Sequence, residues 1–307
     1  MRSGTRARDS VDAMLLTRWW LFPAMLAGLV ACGPSGRDDG NGNGDGVDGG
    51  GTQDSTGTNG DGCSDAAKLV YVVDENYQLS KFDPMTKTFQ DIGRLDCDAA
   101  FLATPFSMAI DREANAWVLY NSSELFKVNT TSLACTKTPW TTQQGLNVYG
   151  MGFSTDAVGG STDRLFVAGG PGDVTVATSK LATIDTTTFQ AQPLGTVTGW
   201  PELTGTGNAE LWGFFPSASG SRIEKIDKAT GAGGPTYTLA GLAGEPRAWA
   251  FAFWGGDFWV FLRKGSEAST TVYQYSAANG QMKGSTPAPG RSIVGAGVST
   301  CAPVVIF

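Results

Sequence analysis

Pro105-Phe106-Ser107-Met108-Ala109-Ile110-Asp111, then Ala116-Trp117-Val118-Leu119-Tyr120, then Leu125-Phe126-Lys127-Val128-Asn129-Thr130-Thr131: this stretch decides the fold. In its first segment apolar and small residues alternate, which places them on opposite faces of a β-strand. The second segment is an aromatic-rich strand. The third ends in Asn before a Thr-rich turn, where an Asn or Asp side chain accepts from a backbone N–H two residues on. The pattern recurs. The residues opening the successive inner strands are Phe106, Tyr149, Trp200, Arg247 and Arg291, at intervals of 43, 51, 47 and 44 residues. Small/apolar alternation follows in Gly150-Met151-Gly152-Phe153, Ala248-Trp249-Ala250-Phe251 and Ser292-Ile293-Val294-Gly295. Third strands end at Asp83, Asn129, Asp185, Asp227 and Ser276, and a fourth strand then returns, as in Thr88 to Ile92.

Four short antiparallel strands per period of about 45 residues is the signature of a propeller blade. The first copy, Lys68 to Val73, lacks an inner strand, and the last segment, Arg291 to Ser299, is an inner strand with no blade after it. The two halves complement each other. The expectation is an all-β, five-bladed β-propeller over residues 63–307, its ring closed by the C-terminal strand, because an open array would leave strand edges exposed. Blade four, Trp200 to Tyr237, is the irregular copy, which leaves four- and six-bladed rings as alternatives.

The chain of 307 residues contains 42 Gly, 10% aromatic and only 17% charged residues, a turn-rich all-β profile. A net charge of -7 lacks the basic footprint that nucleic acid requires. With no His in the chain, His-dependent triads and most zinc catalysis are excluded. The aligned inner strands supply no converging set of Asp, Asn and Glu for a metal on the axis. The reading therefore includes no cofactor, no metal and no catalytic residues, and a monomer.

The N-terminus reads as an address. Arg18 precedes a short apolar run from Trp19 to Ala31, broken by Pro23 and Gly28 and too short to span a membrane with confidence. It ends Leu29-Val30-Ala31-Cys32-Gly33, which resembles the bacterial lipobox, in which the Cys is lipidated and becomes the new N-terminus. The expected organisation is a lipoprotein signal peptide over 1–31, then lipidated Cys32 and a disordered Gly/Asp-rich linker over 32–62. An ordinary signal peptide with an incidental Cys is the alternative. Asp9 and Asp12 are foreign to such a leader and make Met14 an alternative start. Gly33 after Cys32 points, by analogy with lipoproteins, to the outer membrane. The linker can bury too little apolar surface to fold. Its Asp39 to Asp48 imitates the start of a calcium loop, but Gly50 stands where the EF-hand needs a bidentate Glu, so a low-complexity spacer is preferred. The other cysteines suggest two disulfides in an exported chain, Cys63–Cys301 joining the domain's ends and Cys97–Cys135 as the second pair.

The Pro-x-small-apolar-Ala-apolar-Asp wording of the inner strand, with its aromatic partner strand, resembles NHL-type and related lyase-like propellers. The whole chain resembles uncharacterised bacterial surface lipoproteins that tether a propeller by a Gly/Asp linker. These motifs carry fold rather than function.

Phe106, Tyr149, Trp200, Arg247 and Arg291 are expected around one mouth of the central channel, where aromatic faces and guanidiniums suit a sugar ring or an anion; the alternative is that they pack the loops. Glu202 replaces the apolar residue found at Met108, Met151, Trp249 and Ile293, so it either faces the channel, with Arg247 or Arg291 as partner, or reflects distortion by Pro201. Trp140, Gln143, Gln144 and Asn147 form a polar-aromatic loop of the kind that reads sugars. The leading expectation is a non-enzymatic, lipid-anchored envelope protein binding a protein or glycan. The alternative is a carbohydrate hydrolase or lyase acting in the channel, which needs a second carboxylate near Glu202.

Overall fold

The computed structural model describes residues 63–172 and 177–306. The expected signal peptide, Cys32, the expected linker and its calcium-like run lie outside the described residues. What the repeat dictates locally is seen in one turn. Asp83, Asn129, Asp185 and Asp227 each accept, through Oδ1, from the backbone N–H groups two and three residues on. The same turn closes in every blade with an N–H four residues on, at Lys87, Leu133, Phe189, Gly231 and Gly280. Those five residues all have positive φ, between 57° and 79°. This local conformation reverses the chain between each blade's third and fourth strands.

Three strands follow the start of the described chain: β1 (Val70–Asp74), β2 (Gln78–Asp83) and β3 (Thr88–Arg94). Next come β4 (Pro105–Ile110), β5 (Asn115–Tyr120), β6 (Leu125–Asn129) and β7 (Cys135–Lys137). The third group is β8 (Val148–Thr155), β9 (Asp163–Gly170), β10 (Thr178–Ile184) and β11 (Ala191–Thr198). The fourth is β12 (Glu202–Gly205), β13 (Leu211–Phe215), β14 (Ser221–Ile226) and β15 (Gly233–Leu239). The last comprises β16 (Pro246–Trp254), β17 (Asp257–Lys264), β18 (Thr270–Ser276), β19 (Met282–Ala288) and a lone β20 (Ile293–Gly297).

These strands form five four-stranded antiparallel sheets, and the first is ordered β20-β1-β2-β3. The C-terminal strand therefore supplies the inner strand that the N-terminal blade lacks, and the five-bladed, closed propeller is the fold. The irregular fourth copy is a complete blade with a short inner strand. Cys63–Cys301 and Cys97–Cys135 are both bonded, with Cα separations of 5.9 and 5.2 Å.

Packing follows the two faces of each sheet. Five buried apolar clusters lie among the described residues, one between each pair of neighbouring blades. The interface of the last blade with the first gathers Phe82, Trp259 and Phe261, with ring centroids 5.3–5.4 Å apart. Most strand tryptophans and phenylalanines are in these clusters, which is where aromatic burial stabilises a propeller.

After β20 the chain crosses the end of the channel where the inner strands finish. Cys301 is tied to Cys63, Gly255 N donates to Pro303 O at 2.7 Å, and Thr300 Oγ1 donates to Asp163 Oδ2 at 2.6 Å. Asp163 also takes Arg112 Nε at 2.9 Å and Nη2 at 3.1 Å, and the same guanidinium reaches Gly160 O at 2.7 Å. Loops of several blades are thus fastened to one C-terminal segment, and this end of the channel is covered.

Candidate functional site

At the opposite end, where the inner strands begin, lies a cavity of about 180 Å³ lined by Glu75, Thr104, Pro105, Phe106, Asn121, Glu202, Arg247, Ala248, Trp249 and Val294. Its architecture comes from a repeated irregularity. Opposite Tyr120 and Leu119 the inner strand β4 carries one extra residue, Phe106, between Pro105 and Ser107. On β16 the extra residue is Arg247, between Pro246 and Ala248. On β20 it is Val294, between Ile293 and Gly295. A bulge re-aims the extra side chain and bends the strand. Here all three extra residues line the cavity.

Glu202 forms its floor. The residue is only 2% exposed, because β12 places it at the apolar position of the repeat, pointing back toward blade three. The space it occupies is made by Gly150: a Cβ there would stand 2.2 Å from Pro201 O and 3.1 Å from Glu202 Oε2. Glu202 Oε1 accepts from Ser107 Oγ at 2.5 Å and from the Met151 N–H at 3.4 Å, and that N–H also reaches Ser107 Oγ at 3.2 Å. The inner edge of β8 has no neighbouring strand, so its Met151 N–H needs such a partner. Burial pushes the Glu202 carboxyl well above the ordinary range, and the bonds from Ser107 and Met151 only partly oppose it. The carboxyl therefore keeps its proton to higher pH than an exposed glutamate does.

Glu75, on the β1–β2 turn, is the second carboxyl group of the cavity and lies 3.4 Å from Arg263 Nη2. Asn121, on the β5–β6 turn, accepts from Thr104 N at 3.1 Å and donates to Thr104 Oγ1 at 3.2 Å. Arg247 is exposed, and no carboxylate pairs with it among the described residues.

The expected ring is therefore only partly assembled. Phe106 and Arg247 line the mouth. Tyr149 is fully buried, because β8 has no bulge and its side chain stays within the interface of blades two and three. Burial raises its hydroxyl pKa. Trp200 packs toward Gly170, whose Cβ would lie 2.9 Å from the indole, and does not line the cavity.

Arg291 is turned outward, with Nη2 2.5 Å from Asp91 and its guanidinium 4.8 Å from the Phe89 ring centre. The bulge on β20 puts Val294, three residues later, in register with Phe106. Glu202 faces the channel end, but neither Arg247 nor Arg291 is its partner.

The loop expected to read sugars is packed against its own blade instead, with the buried Trp140 Nε1 lacking a hydrogen-bond partner among the described residues. Trp140 is buried, edge-on to Tyr149 at 5.9 Å. Gln143 donates to Phe189 O at 2.7 Å and accepts from Ala191 N at 2.9 Å. Gln144 O receives Lys180 Nζ, and Asn147 donates to Pro171 O at 3.4 Å. Cavity residues that the period alone did not identify are Trp249, Val294, Glu75, Asn121 and Thr104. The signal for the first two was bulge register, which a linear alignment cannot carry; the others lie on turns between strands.

Among the described residues no group of three or more Cys, Asp or Glu is placed to hold a metal ion, and no helix is long and apolar enough to cross a membrane. No protein-family model matches the chain, and no curated protein matches it. Many solved structures are similar to it, among them three at 12% identity. A luciferin-regenerating enzyme aligns over 76% of both chains with a TM-score of 0.44. The Dos1 propeller aligns over 72% of this chain and 56% of that one, at 0.39. Hydrazine synthase of Kuenenia stuttgartiensis aligns over 77% and 70%, at 0.40. Similarity at this level concerns fold, and the differing roles of these proteins bring none to this chain.

Proposed function

We propose that this chain is a non-enzymatic binding module of the bacterial cell envelope, anchored through a lipidated Cys32 and taking its ligand at the uncovered mouth of the propeller. The observation that carries the reading is the buried Glu202 carboxyl, held on one oxygen and left open on the other at the base of a cavity rimmed by aromatic and polar groups. A carboxyl oxygen that lines a cavity without a protein partner is available to a ligand. The anchor is compatible with this placement. Cys63, the first described residue, sits at the covered end, opposite the cavity.

One observation favours a second reading. Glu75 and Glu202 line the same cavity, and a channel hydrolase needs two carboxyl groups. The full-length chain, assayed against neutral and acidic monosaccharides by calorimetry and against aryl glycosides for release of the aryl group, separates the readings. Saturable binding without release supports the module. Turnover abolished by Glu75→Gln and Glu202→Gln assigns the hydrolase. Absence of both overturns the mouth as a small-ligand site.

A further inference from the structure

We infer that the mouth takes a single sugar ring bearing a carboxylate, free or as the end unit of an acidic glycan, with Arg247 and the Glu202 side chain as the two donors to that carboxylate. The inference rests on the reading of the mouth as a binding site and specifies its ligand.

Size comes first. A cavity of about 180 Å³ is smaller than the roughly 300–1,000 Å³ of sites that enclose drug-sized ligands, so it accommodates one ring rather than a chain of them. Charge comes second. Glu75 is met by Arg263, whereas Arg247 is thrown into the cavity by its bulge with no carboxylate against it. A neutral Glu202 leaves one uncompensated positive charge, which selects an anion.

The location of the Glu202 proton gives the third point. Oε1 already accepts two bonds, from Ser107 Oγ and the Met151 N–H. With Ser107 Oγ as the donor to Oε1, a neutral Glu202 has its proton on Oε2, which has no protein partner among the described residues. Oε2–H is a hydrogen-bond donor on the cavity side, as an acid kept neutral by its surroundings can be. A guanidinium and an acid O–H together match a carboxylate. The remaining lining suits a hydroxylated ring. Trp249 is partly exposed at the cavity, and the bonded pairs Thr104–Asn121 and Glu75–Arg263 give it a polar rim that hydroxyls can join.

The charged groups around Glu202 are few. Glu75 comes from the β1–β2 turn with Arg263 from β17, and Arg247 from β16. β4 and β8 offer only the Ser107 hydroxyl and the Met151 amide, and β20 the apolar Val294. Ionisation of Glu202 would remove the donor and place a second negative charge beside the ligand. Binding therefore weakens as pH rises through its titration.

Titration calorimetry on the full-length chain tests this with galacturonate, glucuronate, their neutral parents and digalacturonate. At pH 5.5 one uronate is expected to bind at least tenfold tighter than its neutral parent. Arg247→Gln should erase that preference, and wild-type binding should weaken by up to tenfold per pH unit above the pH at which Glu202 ionises. Glu202→Gln keeps a donor on the cavity side but cannot ionise, so it should flatten the pH dependence. Phe101→Ser, exposed outside the cavity, should bind like the wild type. Tighter binding of digalacturonate assigns the glycan end as the natural source, and equal binding assigns the free acid. Equal affinity for uronates and neutral parents would overturn the inference while leaving the mouth as a sugar site. Binding that survives Trp249→Ala and Arg247→Gln unchanged would overturn the mouth itself.

Discussion

Replacing Glu202 by Gln should change how the stability of this protein depends on pH. In the unfolded chain the carboxyl ionises near the ordinary 4.5, whereas in the folded protein burial holds the value well above that. The sign follows. A raised folded value means that the contribution is fully present below pH 4.5 and is lost as pH rises through the folded value. Between the two values the unfolded state has released its proton and the folded state has not, so stability falls by about 1.4 kcal/mol per pH unit. Gln occupies the same space and presents its carbonyl oxygen to Ser107 and Met151 but carries no titration. Groups such as Glu124, held down to about 2 by Lys137, Ser122 and the Ala100 N–H despite some desolvation, contribute the opposite slope and cancel between the two proteins.

Urea unfolding of wild type and Glu202→Gln at half-unit steps from pH 4.5 to 8 provides the assay. With a denaturant slope near 3 kcal/mol/M, the difference in midpoints should move in favour of the variant by about 0.5 M per pH unit until the folded carboxyl ionises. A difference that stays flat from pH 4.5 to 7 would show that Glu202 is charged in the folded protein, and the donor geometry at the mouth would fall with it.

The ring staple should matter more than the inner one. The chain-entropy estimate gives about 5.5 kcal/mol for Cys63–Cys301 and about 3.9 kcal/mol for Cys97–Cys135, from their loop lengths. Replacing the first pair by Ser should therefore lower the urea midpoint further than replacing the second, and the reverse order would contradict closure through β20. Gly150→Ala forces a Cβ to within 2.2 Å of Pro201 O and should cost about 1–3 kcal/mol. Gly284→Ala meets nothing nearer than Lys87 Nζ at 3.4 Å and serves as the control in the same thermal melts. Equal losses at the two positions would show that blades three and four are not packed as described.

The architecture was legible because its signals are local and repeated. The Asp or Asn that caps the last turn of four of the blades is read directly at Asp83, Asn129, Asp185 and Asp227, and the displaced C-terminal strand follows from counting strands. The site was legible only in part. Glu202 stood out because a carboxylate broke an apolar position, and Phe106 and Arg247 because they open their strands. Arg291 was placed wrongly: the extra residue in β20 moves the equivalent position to Val294, and no periodicity reports where a bulge falls. Trp140 read as an exposed platform because its loop is polar, yet the indole turns inward against Tyr149. Glu75 and Asn121 reach the mouth from turns between strands of other blades, a proximity set by ring closure.

The most direct test of the account is the electron density of crystals of this protein soaked with the uronate that binds best at pH 5.5. A sugar ring against Trp249, with its carboxylate between Arg247 and Glu202 Oε2, is the expected result. A ring bound elsewhere on the propeller, or held in the cavity with its carboxylate pointing to solvent, would contradict it.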